Sequence, residues 1–245
     1  MNSISANLNI MIKASEKASK ILIRDFVEVE KLQISVKGPS KFVSNADTKS
    51  EKIIINELMK AKKNYSIISE EDGSKINSDS ENVWIIDPID GTTNFLHGVP
   101  HFAISIALKS NNEIVSGLIY DPIKDEMFYA EKDNGAFFNN QRIKVSKKKD
   151  IESCLFGTGG EKIEADLVTR KSGSAALDMA YVAAGRYDGY FQNNLNLWDV
   201  AAGIIIVKEA GGIINEINLS ENDNIKIRAS STAINEKMLK KLQNF

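Results

Sequence analysis

Trp84-Ile85-Ile86-Asp87-Pro88-Ile89-Asp90-Gly91-Thr92-Thr93-Asn94-Phe95 is the stretch on which the reading of this chain turns. The apolar run Val83 to Ile86, rich in β-branched residues, predicts a buried strand. It ends on Asp87, where Pro88 is expected to stop ladder pairing, since proline has a fixed φ and no backbone donor. A second carboxylate follows at Asp90, then Gly91 and two hydroxyl residues. Ligands of α/β sheets collect at the carboxyl edge of strands. Two carboxylates three residues apart on a short rigid turn can share a hard cation such as Mg²⁺, which takes oxygen ligands. Gly91 and Thr92 offer N–H groups at an expected helix start, a place that suits an anion. The same composition also makes a plain Asx-type turn. Taken alone, the stretch leaves turn and ion site both open.

The 245 residues suit one large domain or two small ones. Hydrophobic content of 42% and charged content of 26% are those of an ordinary globular protein. A formal net charge of −2 gives no electrostatic footprint for nucleic acid or a membrane surface, and the run Lys147-Lys148-Lys149 is too short to alter that. Cys154 is the only cysteine, so an intrachain disulfide is excluded and a reducing, cytoplasmic setting is expected. Its apolar neighbours predict a small core residue rather than a nucleophile. No apolar run reaches the roughly 18 residues of a membrane span, and the first helix pattern lacks the apolar centre of a signal peptide.

Apolar positions Ile4, Leu8, Ile12, Ile21 and Leu22 predict one long helix to about Glu30, broken by Val36-Lys37-Gly38-Pro39-Ser40. Asp47 and Thr48 are expected to open a second helix that runs to about Lys62. Tyr65 to Ser69 reads as a short strand, and Gly73 to Asn82 as a loop. Between them, Glu70-Glu71-Asp72 is either a solvated acidic turn or a source of metal ligands. Strands are expected over His101–Leu108, Glu113–Tyr120 and Glu126–Ala130, with a hairpin over Gly135–Val145 turning at Asn139-Asn140. Beyond it come strands Ser153–Thr158 and Tyr187–Gln192, and helices Ser174–Gly185 and Trp198–Ala210, the latter closed by Gly211-Gly212. Strands Ile213–Ile217 and Ile225–Arg228 precede a last helix, Thr232–Gln243. The pattern predicts a single domain over residues 1–245, with two lobes, about 1–150 and 151–245, meeting at the opening stretch.

Acidic residues now stand at the ends of several expected elements: Asp47, Glu70, Asp87 with Asp90, and Asp199 in Trp198-Asp199-Val200. Each has a plain reading of its own, as a helix cap, a loop charge or a helix-start charge. Together with Gly173-Ser174-Ala175-Ala176 and Glu209-Ala210-Gly211-Gly212, in this order and spacing, they closely resemble the inositol monophosphatase family. That family belongs to the lithium-sensitive, Mg²⁺-dependent phosphatase superfamily, and the resemblance spans nearly the whole chain. It implies an α+β or α/β fold, a layered α-β-α-β-α sandwich of the inositol monophosphatase and fructose-1,6-bisphosphatase type. It further implies two to three Mg²⁺ ions, one held by Glu70, Asp87 and the carbonyl of Ile89, and a second by Asp87, Asp90 and Asp199. A third, weaker ion would sit near Glu70. Thr92, backed by Asp47, would orient and help deprotonate the attacking water, and Glu70 would share in catalysis through its metal. Gly91 and Thr92 would bind the phosphate, with Asp90, Ala175 and Asp199 near the leaving alcohol and Lys37 beside the site.

The implied reaction is hydrolysis of a small phosphorylated polyol, inositol 1-phosphate first, by direct attack of water, in a cytoplasmic homodimer. The alternatives are a 3′-phosphonucleotide, histidinol phosphate or fructose bisphosphate as substrate, or a regulatory protein that contacts the transcription machinery. Such chemistry needs charge neutralisation, because the uncatalysed hydrolysis of phosphate monoesters is among the slowest reactions known. His97 and His101 stand four apart, but Gly98 and Pro100 break the helix a metal pair needs, so structural roles are expected. Two features depart from the family pattern. Gln192 falls where these phosphatases usually have a Glu that contacts inositol hydroxyls, and the segment Gly157 to Arg170 is shorter than in relatives. Both bear on substrate choice, and the second also on assembly.

Overall fold

In the computed structural model, residues 4–32, 40–160 and 166–242 are described. Two helices lead, α1 (Ala6–Leu32) and α2 (Ser40–Ala61). β1 (Tyr65–Ser69), β2 (Gly73–Lys75) and β3 (Asp79–Asp90) follow, then the one-turn helix α3 (Thr92–Leu96). A meander comes next: β4 (Ala103–Ser110), β5 (Glu113–Asp121), β6 (Glu126–Glu131), β7 (Gly135–Phe138) and β8 (Gln141–Ile143). The last third holds β9 (Leu155–Thr158), β10 (Val168–Arg170), α4 (Ala175–Ala183), β11 (Gly189–Leu195) and α5 (Leu197–Glu209). It closes with β12 (Gly212–Ile214), β13 (Ile225–Ser231) and α6 (Asn235–Lys241).

β1 to β8 form one sheet in the order β2-β1-β3-β4-β5-β6-β7-β8, and the remaining strands a second, β10-β9-β11-β13-β12. Three apolar cores separate five layers. Leu8, Met11, Leu22 and Leu58 of α1 and α2 pack on Trp84, Ile86 and Ile106 of the first sheet. The apolar helices α4 and α5 fill the space between the two sheets, where Leu177 and Val200 meet Ile85, Ala107 and Ile227. Ile234, Met238 and Leu242 cover the far face of the second sheet against Phe156 and Phe191. This is the layered α-β-α-β-α arrangement expected from the sequence. Helices with apolar residues all round belong between sheets, and α4 and α5 are of that kind.

Four local expectations are corrected. Asp47 does not open α2; the helix begins at Ser40 and Asp47 lies buried two turns inside it. Pro88 does not end β3, which continues to Asp90. Asp87 pairs with Ser105 and Asp90 with Ala103, so three steps on β3 oppose two on β4. The supposed loop Gly73–Asn82 holds β2 and the start of β3, and β10 appears where no strand was expected. The break around Lys37 lies outside the described residues.

The end of the opening stretch is anchored by aromatic packing. Phe95 is fully buried, 4.9 Å from Phe102 and 5.6 Å from Phe26 of α1, both edge-on. Asn94 beside it donates to the carbonyl of His101 at 2.7 Å and to that of Ser172 at 2.9 Å, tying α3 to the approach to α4. Phe95→Ala is expected to cost about 3–5 kcal/mol of stability, the usual range for emptying a buried aromatic position. Urea denaturation should show a lower midpoint with an unchanged slope.

Candidate active site

The bulge in β3 decides the site. Side chains on a strand alternate faces, so residues three apart should point to opposite sides. The extra residue between Asp87 and Asp90 brings both carboxylates to the same side. Asp199, in the first turn of α5, joins them from the other sheet's side, and carboxylate oxygens of the three lie within 4.8 Å of one another. Asp87 and Asp90 are 2% and 7% exposed. Glu70, at the turn after β1, lies close enough to Asp87 for the two carboxyl groups to repel. All four line one cleft of about 290 Å³.

Three of the four carboxylates, those of Asp87, Asp90 and Asp199, are held by backbone partners. Asp87 accepts the N–H of Ile89 at 2.9 Å. Asp90 accepts the hydroxyl of Ser174 and, at 2.8 Å, the N–H of Ala176 at the start of α4. Asp199 accepts the N–H of Asn196 at 2.8 Å, closing a capping box on α5. The plain reading of Asp199 as a helix-start charge therefore holds alongside its place in the cluster. Gly91 begins α3 with φ of 97°, and an added Cβ would stand 3.1–3.3 Å from three backbone atoms of its neighbours, so only glycine fits there. Thr92 donates its hydroxyl to the carbonyl of Ile89 at 2.9 Å.

Asp47 and Glu51 stand one turn apart on α2, facing the Glu70 turn. Glu51 accepts the N–H groups of Glu71 and Asp72 at 3.1 and 2.9 Å and so fixes that turn. Asp47 Oδ1 has no hydrogen-bond partner among the described residues. Asp47 and Thr92 are not hydrogen-bonded to each other. Of the other residues named from the sequence, Ile89, Gly91, Ala175 and Gln192 line the cleft, and Lys37 falls outside the described residues. His101 packs against Tyr181 at 5.9 Å between ring centres, away from the carboxylates, as a structural role requires. Sequence reasoning quotes Asn94 and Ser174 in its motifs without giving either a role, and does not reach Thr158 or Lys171. Ser174 was legible in principle, as a Ser placed to cap an apolar helix; the short, half-exposed β10 that leads to Lys171 carries no such signal.

Burial is the first cause that lifts the carboxyl groups, and mutual repulsion adds to it. Asp87 is pushed well up by burial and then by Glu70, Asp90 and Asp199. Asp199 rises to about 7 by burial and repulsion from Asp90. Asp90 rises only to about 6, because the Ser174 hydroxyl and the α4 N–H groups oppose its burial. Asp47 rises to about 8, through burial and then Glu71 and Glu70. Glu70 rises for the same reason, burial first. A cluster of this kind can hold protons or cations, and its all-oxygen donor set suits a hard divalent ion.

The inositol monophosphatase family profile matches residues 5–244. An inositol-1-monophosphatase of Mesorhizobium japonicum is 42% identical over 96% of each chain. A protein of Pasteurella multocida named Nus factor SuhB is 39% identical, over 86% of this chain and 85% of that one. Among solved structures, the extragenic suppressor protein SuhB of Bartonella henselae superposes with a TM-score of 0.86 at 46% identity, covering 97% of this chain and 98% of the other.

Carboxyl groups raised above their unfolded values near 4 bind protons more tightly in the folded chain than in the unfolded one. Between about pH 4 and 8, folding therefore takes up protons, and stability falls as pH rises. Glu51 and Asp178, also raised by burial first, act in the same sense, and His101, lowered by burial, in the opposite one. The metal-free protein should melt at a lower temperature at pH 8 than at pH 5, and a divalent cation should remove most of that difference. A metal-free melting temperature that rises from pH 5 to 8 would contradict this account of the cluster.

Proposed function

Because the chain belongs to the inositol monophosphatase family, and is thereby a phosphomonoester hydrolase, we propose that it cleaves the phosphate ester of a small polyol with Mg²⁺, inositol 1-phosphate being the first substrate to test. The observation that carries the reading is the convergence of Asp87, Asp90 and Asp199 within 4.8 Å, beside Glu70 in the same cleft. Buried like charges at that spacing call for cations, and oxygen donors of this type fit Mg²⁺. Glu70, Asp87 and the Ile89 carbonyl would hold one ion, and Asp87, Asp90 and Asp199 another, with Asp87 shared. A third, weaker ion would lie near Glu70.

When bound, the ions supply charge neutralisation at the phosphate, acidification of the attacking water and stabilisation of the leaving oxygen. The chain does the rest. The N–H groups of Gly91 and Thr92, at the start of α3, receive the phosphoryl oxygens. Thr92 orients the attacking water and passes its proton toward Asp47, whose free Oδ1 has acceptor capacity. For that relay the Thr92 hydroxyl must turn from the Ile89 carbonyl toward Asp47. Asp90, Ala175 and Asp199 border the leaving alcohol, with Gln192 and Lys37 as further substrate contacts. In this reading the chain is one domain, works as a homodimer and acts in the cytoplasm. No helix among the described residues is long and apolar enough to cross a membrane.

A second reading, a regulatory or interaction protein with incidental phosphatase activity, is favoured by the relative named Nus factor SuhB. A panel of inositol, sugar and nucleotide phosphates, assayed for phosphate release with and without Mg²⁺, separates the two. Release from at least one member, dependent on Mg²⁺ and inhibited by millimolar Li⁺, is expected; none from any member selects the second reading. Asp87→Asn should lower turnover at least about 100-fold, the upper range for losing even an outer-shell partner of a metal ligand, with an unchanged far-ultraviolet spectrum. Turnover equal to that of the unaltered chain would overturn the two-ion assignment.

A further inference from the structure

The wall of the cleft contributed by the second sheet presents donors. Lys171 and Gln192 line it, and among the described lining residues Lys171 is the only Lys, Arg or His. Gln192 Oε1 accepts the hydroxyl of Tyr190 at 2.7 Å, so its remaining polar group, the amide NH₂, can only donate. Among the described residues, no hydrogen bond or ion pair involves the Lys171 ammonium.

Both side chains are seated by the Gly159-Gly160 pair. A Cβ on Gly159 would stand 2.4 Å from the Gln192 amide carbon, and one on Gly160 2.9 Å from Lys171 Cδ and 3.0 Å from its Nζ. Side chains at those two positions would drive both donors off the wall. Thr158, just before them, also lines the cleft, and its hydroxyl oxygen accepts the N–H of Gly160 at 3.2 Å, holding the turn in place. The cleft is thus divided by charge, with four carboxylates on one side and an ammonium and an amide donor on the other.

A neutral polyol offers hydroxyl groups, which donate as readily as they accept. A wall led by an ammonium and an amide NH₂ matches an acceptor with negative charge. We propose that Lys171, with Gln192, is a specificity-determining residue that reads a second anionic group, phosphate or carboxylate, on the alcohol part of the substrate. The preferred substrate is then a phosphate monoester whose alcohol is itself anionic. This rests on the hydrolase reading above and narrows its substrate class.

The test uses two matched pairs, inositol 1-phosphate with inositol 1,4-bisphosphate, and glycerol 1-phosphate with 3-phosphoglycerate. The first pair asks about a second phosphate, the second about a carboxylate. In at least one pair kcat/KM should favour the doubly anionic member by about tenfold, the lower range for a hydrogen bond to a charged group. Lys171→Ala should abolish that preference mainly through KM, and Lys171→Glu should invert it. Equal or reversed preference in both pairs overturns the proposal. So does an equal loss for both members in Lys171→Ala, which would mean that Lys171 holds the ester phosphate itself. Absence of turnover on all four compounds would count against the hydrolase reading. Calorimetric binding of inositol 1,4-bisphosphate and inositol 1-phosphate to the Mg²⁺-loaded protein then decides separately. Tighter binding of the bisphosphate, lost in Lys171→Ala, supports the proposal, and equal binding overturns it.

Discussion

The rest of this structure depends on one irregularity in a strand, the extra residue that β3 carries between Asp87 and Asp90. A regular strand would send one of these carboxylates into each adjoining core, where an unpaired charge is very costly. The bulge turns both the same way while leaving Ile86 and Ile89 buried in the core against α1 and α2. It also leads into Gly91, whose left-handed backbone turns the chain into α3. The chain accepts this because Phe95, Phe102 and Phe26 close over the far end of the turn. Aromatic packing beneath and mutual repulsion above are therefore two sides of the same local design.

The second sheet completes what the first begins. Asp199 and the Ser174 that holds Asp90 sit at the starts of the two helices sandwiched between the sheets. Ser174 accepts the N–H of Leu177 as a helix cap and donates to Asp90 as well. Helix capping and ligand orientation thus share a single hydroxyl, and stability and site geometry cannot be altered there independently. The Ser105 hydroxyl bonded to the carbonyl of Trp198 ties α5 to β4 in the same region. Carboxylates from two sheets can meet because their scaffolds are packed through one continuous apolar layer.

How much of this could be read in advance differs by element. β1 is found at Tyr65–Ser69, as its apolar run implies, and the meander strands lie within about two residues of their expected ends, because alternation and turn residues fix them together. The identity of the acidic cluster was legible only in combination: Asp87 and Asp90 left two readings open, and Glu70, Asp199 and Asp47 closed the choice by pattern. The role of Asp47 as a cap was a misreading with a physical cause. An Asp before an apolar run looks like a helix start, and nothing local reveals that the helix began two turns earlier and buried it. The bulge itself was hidden, since Pro88 signals an end of pairing and not its resumption two residues later. Lys171 was hidden for another reason: its place in the cleft comes from a three-residue strand paired in parallel with β9, a long-range contact without periodic signal.

Asn94 brings a vulnerability of a different kind. Its amide nitrogen donates to two carbonyl oxygens, those of His101 and Ser172, and so clasps the two halves of the cleft. Slow hydrolysis of that amide during storage would turn the donor into a carboxylate facing two carbonyls, with a further negative charge near a cluster already crowded with them. The aged protein would keep its cores, because no apolar contact is lost, yet the clasp would open. Chemical ageing at one side chain would thus separate the fold from the arrangement it supports.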